Sequence, residues 1–69
     1  MPLAFAQSGA PQTIKKIRGQ DEVKRFLESL GFVVGGEVMV ISELQGNMIV
    51  NVKDSRVAIS KAMASRIMV

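Results

Sequence analysis

EVMVISELQGNMIVNVKDSRVAI, residues 37–59, is the stretch whose reading decides the fold. Two runs rich in β-branched residues, 37–44 and 48–53, flank Gln45-Gly46-Asn47 and read as an antiparallel hairpin. Two registers compete. A two-residue Gln-Gly turn pairs Ile41 with Val50 and sets Val40 opposite Asn51. A three-residue loop pairs Leu44 with Met48, Ser42 with Val50 and Val40 with Val52. Only the second gathers Val38, Val40, Leu44, Met48, Val50 and Val52 on one face, with Glu43, Asn51 and Lys53 on the other. Slipping a strand by one residue turns every side chain to the wrong face, so the three-residue loop is expected. Asp54-Ser55 then reads as a second turn, pairing Lys53 with Arg56, Val52 with Val57 and Val50 with Ile59. Inward residues again meet inward residues, which predicts a three-stranded meander.

Outward from the meander the signals are shorter. TIKKIR, residues 13–18, reads as a strand, although Ile14 and Ile17 are three apart and need a bulge or a strong local twist. Ser8-Gly9-Ala10-Pro11 reads as a turn, with Leu3 and Phe5 lying back on the core. DEVKRFLESLG, residues 21–31, places Val23, Phe26, Leu27 and Leu30 at i, i+3, i+4 and i+7 of one helical face. Asp21 and Glu22 occupy the first turn, where the helix dipole favours negative charge. Gly31 is expected just past the helix end in a Schellman stop, with Phe32 clasped on Leu27. Gly35-Gly36 turns the chain into the next strand. Residues 60–64 are expected to make one helical turn, and 66–69 a short closing strand. The sum is a mainly β fold with one short α-helix: a small five-stranded barrel, closed or nearly so, in one domain over 1–69.

Composition narrows the function. The chain has 69 residues, 48% of them hydrophobic, with no cysteine and no histidine. Disulfides are excluded and ordinary zinc or copper ligand sets are missing. Nucleophilic catalysis lacks a histidine base, and no GxxxxGK[ST] loop is present, so no catalytic residue is expected. The carboxylates Asp21, Glu22, Glu28, Glu37, Glu43 and Asp54 form no recognisable coordination pattern, so neither a metal nor a cofactor is expected. No export signal and no apolar run near the ~20 residues of a bilayer span is visible, which points to the cytoplasm without direct membrane insertion.

The formal charge of +3 has one local cluster, Lys15, Lys16 and Arg18. A solvated face is its simplest meaning, and nucleic acid is the rival one. Single-strand platforms stack bases on exposed aromatic side chains. With three phenylalanines, no tyrosine and no tryptophan, and with Phe26 assigned to the helix core face and Phe32 to the cap, no platform is expected. Protein contact fits better. Met39, Ile41 and Ile49 point outward beside Lys53, and Val33 and Val34 form the exposed exit from the helix. These six residues are the candidate contact set.

The pieces also resemble a known family in their order and spacing. They are Pro2-Leu3, Ile14–Gly19, Leu30-Gly31-Phe32, Gly35 with Glu37-Val38, Gly46-Asn47, Ile49–Lys53, Arg56–Ile59 and Ala64–Ile67. The chain resembles ferrous iron transport protein A, FeoA. That resemblance implies an SH3-like β-barrel and a role in bacterial Fe(II) uptake through the cytosolic region of the membrane GTPase-permease FeoB. The same domain type occurs at the C-terminus of iron- and manganese-dependent repressors; 69 residues leave no room for their helix-turn-helix domain, so the stand-alone transport companion is expected, with a stand-alone relative of the repressor domain as the alternative. One departure is Val34, where many relatives carry proline. The oligomeric state stays open.

Overall fold

A computed structural model describes residues 1–69, and its strands order themselves around the meander. They are β1 (Pro11–Thr13), β2 (Lys16–Ile17), β3 (Glu37–Leu44), β4 (Asn47–Val52), β5 (Ser55–Ser60) and β6 (Ile67–Met68). Helices α1 (Asp21–Ser29) and α2 (Lys61–Ala64) interrupt them, and a 3-10 turn covers Leu3–Phe5. A four-stranded antiparallel sheet runs β1-β3-β4-β5, and a separate pair joins β2 to β6. Fourteen apolar side chains are buried, and no polar or charged one is.

The expected single strand over 13–18 is two strands in different sheets, so the count is six. Between them the Ile14 amide donates to the Gly36 carbonyl at 2.8 Å and the Lys15 amide to that of Met68 at 2.8 Å. The chain therefore crosses from one sheet to the other at this point. That crossing, and no bulge, is how Ile14 and Ile17 both reach the core. Pro11, expected in a turn, already pairs with Met39.

Both hairpin registers differ from expectation. The first turn is Gln45-Gly46, with left-handed φ of 50° and 82°, and Leu44 pairs with Asn47. The ladder then shifts between Val40 and Ser42, so that Val40 pairs with Val50 and Val38 with Val52. A bulge at Ile41 thus absorbs one residue and lets the tight turn coexist with an inward valine face. Leu44, expected inside, lies beyond that shift and is 65% exposed. Glu43 instead pairs with Met48, and its carboxylate meets Lys61 Nζ at 2.5 Å, a half-exposed ion pair contributing about 1 kcal/mol or less. The second turn is Lys53-Asp54, not Asp54-Ser55, with φ of 48° and 62°. Val50 therefore pairs with Val57 and Met48 with Ile59.

Gln45 occupies a left-handed position that favours asparagine in a turn followed by glycine. Gln45→Asn creates an Asn-Gly turn without touching the core. It is expected to add about 0.5–1 kcal/mol, raising the melting temperature by about 2–8 °C in a circular-dichroism melt. An unchanged or lower midpoint would count against the left-handed turn.

The helix stop forms as expected. The Gly31 amide donates to the Glu28 carbonyl at 2.9 Å and the Phe32 amide to that of Leu27 at 3.0 Å, with Gly31 at φ 108°. Phe32 and Leu27 are fully buried, whereas Phe26 is 51% exposed and does not join the core face assigned to it. Leu27 faces the core and its neighbour, about 100° around the helix, is left at the margin. Of the N-terminal pair, Leu3 is buried and Phe5 is exposed. At α2, Ser60 Oγ accepts from the Met63 amide at 3.2 Å, the N-cap of the expected helical turn.

Candidate functional site: the outer face of the four-stranded sheet

Alternation puts the valines of β3 and β4 inside and leaves the intervening residues outside. One row crosses all four strands: Pro11 pairs with Met39, Met39 with Asn51 and Asn51 with Arg56. The next outward step on β4 is Ile49, opposite Ala58 on β5 and Ser42 on β3. Ile41, the bulge residue, has no partner in the ladder beside them. Met39, Ile41 and Ile49 are each half-buried, so this part of the sheet presents apolar side chains that still meet solvent.

An open cleft of about 450 Å³ starts at Met39 and runs to the end of the sheet, lined also by Pro11, Glu37, Asn51, Lys53 and Asp54. Glu37 opens β3, and Lys53 and Asp54 close β4, so carboxylates and an ammonium rim the apolar centre on one side. Arg56 lies at the other end of the Pro11 row. The Lys53 stem also packs over the helix stop. A Cβ added at Gly31 would lie 3.5 Å from Lys53 Cδ and 3.6 Å from its Cγ.

Of the six candidate residues, Met39, Ile41 and Ile49 share the sheet and Lys53 sits at its rim. Val33 and Val34 do not lie on that face. They belong to the α1–β3 connection at the same end, in a turn where the Gly36 amide donates to the Val33 carbonyl at 2.9 Å. Val34 is 65% exposed and Val33 half-buried. Pro11, Glu37 and Asp54 were missed as lining residues, and Arg56 as the end of the cross-strand row. Reading Pro11 as a strand start would have brought it beside Met39, and alternation from Met39 back to Glu37 carried the second.

No three of the acidic side chains converge. Asp21 and Glu22 sit in the first turn of α1, and Glu43 on Lys61. The cluster Lys15, Lys16 and Arg18 is exposed on and around β2, in the other sheet, where Lys16 pairs with Met68 and no aromatic residue stands in either strand. No helix is long and apolar enough to cross a membrane.

Comparison with known proteins adds likenesses of sequence and of fold. The family described as FeoA domain matches residues 1–69. A protein of Methanocaldococcus jannaschii described as "Putative Fe(2+) transport protein A" is 37% identical over 68 residues, covering 99% of this chain and 83% of that one. A crystal structure of an iron uptake regulatory protein (FeoA) superposes with a TM-score of 0.88 at 31% identity, covering 97% of this chain and 89% of that one. A Stenotrophomonas maltophilia FeoA complexed with zinc, described as a procaryotic SH3 domain protein, gives a TM-score of 0.85 at 24% identity over 99% and 87% of the two chains. The expected SH3-like architecture is thus the observed one, with its strands split between two sheets and no continuous ladder closing it. The fold also makes up 39% of a manganese-dependent transcriptional repressor, at TM-score 0.86 and 20% identity over 97% of this chain, a likeness of fold alone.

Proposed function

We propose, from the premise that this chain belongs to the FeoA domain family, that it is a cytoplasmic accessory protein of ferrous iron transport. It docks on the cytosolic region of FeoB and modulates that GTPase-permease without catalysing a reaction itself. The family match over residues 1–69 carries this reading, because it spans the whole fold. The outer sheet face supports it with an apolar centre and a rim of both charges, the composition of a protein interface. Met39, Ile41 and Ile49 supply the apolar area, Lys53 a rim charge, and Val33 and Val34 an adjoining apolar loop. Methionine at the centre suits a surface that adapts to its partner. The cations around β2 take no part, so single-stranded nucleic acid is not expected to be retained in a low-salt filter assay, where phosphate binding is strongest.

Uptake in cells tests the role. A strain lacking this protein but retaining FeoB is expected to lose most ferrous iron uptake, measured with radioactive iron under reducing conditions. The wild-type chain should restore it. Uptake equal in the presence and absence of this chain would remove it from the pathway.

A further inference from the structure

The four-stranded sheet has two edges, and they are built differently. At one edge, β1 is three residues long and begins with Pro11, which has no amide to offer. Short strands and proline are the usual means of blunting an edge. At the other edge, β5 is six residues long, free of proline, and keeps an unshifted register with β4 from Val52–Ser55 to Asn47–Ser60. The tight Lys53-Asp54 turn fixes which groups are spare. Val52 and Ser55 close the turn as a hydrogen-bonded pair, so Val50–Val57 and Met48–Ile59 are hydrogen-bonded as well. The amides and carbonyls of Arg56 and Ala58 therefore point away from β4. None of them takes part in a backbone hydrogen bond outside the ladder, and both residues are exposed.

We propose that this edge pairs two copies of the chain, β5 against β5, antiparallel about a two-fold axis at Ala58. That register places Ala58 opposite Ala58, Val57 opposite Ile59 and Arg56 opposite Ser60. No like charges face each other in this register: Arg56 stands opposite Ser60, and Lys61 of each copy opposite Ser55 of the other. The two-fold contact is self-complementary and uses both free edges, so it closes at a dimer and does not grow into a fibre. The two sheets become one of eight strands, and the outer face with Met39 and Ile49 stays open. The contact is small beside the roughly 1,600 Å² of standard-size complexes, so the dimer is weak and forms at high concentration.

Sedimentation velocity from about 10 μM to about 1 mM, which brackets dissociation constants worth about −4 to −7 kcal/mol, tests it. The wild-type chain is expected to pass from monomer toward dimer. Ala58→Pro removes only an amide that faces away from β4 and is compatible with an edge strand, so the variant should fold yet dimerise at least tenfold more weakly. Amide exchange of the wild-type chain gives a reading that needs no variant: Arg56 and Ala58 should exchange several-fold more slowly at the high concentration, with Val57 unchanged. A wild-type chain that stays monomeric, a folded Ala58→Pro variant that dimerises equally well, or exchange independent of concentration would each overturn the proposal. In the first case a foreign extended segment becomes the candidate for the edge.

Discussion

Phe32→Ala is expected to remove about a third or more of the chain's stability. Phe32 is the largest side chain with no exposed surface, and it enters the core directly from the helix stop. Truncating a buried phenylalanine costs about 3–5 kcal/mol, because the lost transfer energy is joined by that of the cavity left behind. A chain of 69 residues has about 3–10 kcal/mol in all. At roughly 4–8 °C per kcal/mol for a domain this small, the melting midpoint should fall by about 12–40 °C. Phe26→Ala is the comparison. Being 51% exposed, Phe26 should cost about 1 kcal/mol or less. Equal losses for the two would contradict the assignment of Phe32 to the joint and Phe26 to the surface.

The second large effect is expected in binding. Met39→Ala with Ile49→Ala should weaken docking on the cytosolic region of FeoB by about 100-fold or more. A few central apolar residues carry most of an interface's energy, at about 1–2 kcal/mol or above each. Met39 lies in the row that crosses all four strands, and Ile49 is the next outward residue on β4. Both are half-buried, so the variant keeps the inner valines of the sheet and should keep its circular-dichroism spectrum. Lys16→Ala with Arg18→Ala, on the other sheet, should change affinity less than threefold. A loss on that side, with none at Met39 and Ile49, would move the contact from the four-stranded sheet to the two-stranded one.

How much of this was legible in the sequence follows from what each signal measures. Alternation identified Val38, Val40, Leu44, Met48, Val50, Val52, Val57 and Ile59 as the inner face; six of these are buried, Val57 is half-buried and Leu44, beyond the bulge, is exposed. Alternation has a period of two, however, and is blind to slips of two residues. The expected second hairpin differs from the observed one by such a slip, Val52 opposite Val57 in place of Val50 opposite Val57, so every side chain kept its face while the turn moved. The same holds below the bulge, where Val40 opposite Val52 became Val40 opposite Val50. The bulge itself left no mark, since Ile41 is as good a strand residue as its neighbours. The helix stop was fully legible, because Gly31 and Phe32 act through local hydrogen bonds. Crossing between sheets at Ile14 was not, since it depends on Gly36 and Met68, far along the chain. The candidate face inherited this pattern. Met39, Ile41 and Ile49 came from alternation, whereas Pro11 and Arg56 reach the same row only through pairings that no local signal announces.

The most direct test of the central claim is calorimetric titration of this chain into the isolated cytosolic region of its cognate FeoB. It is run without nucleotide, with GDP and with a non-hydrolysable GTP analogue, for the wild-type chain and for the Met39→Ala, Ile49→Ala variant. Binding by the wild-type chain that changes with the nucleotide, and is lost in the variant, is the expected result. No heat in any nucleotide state, or equal affinity for both proteins, would contradict the account.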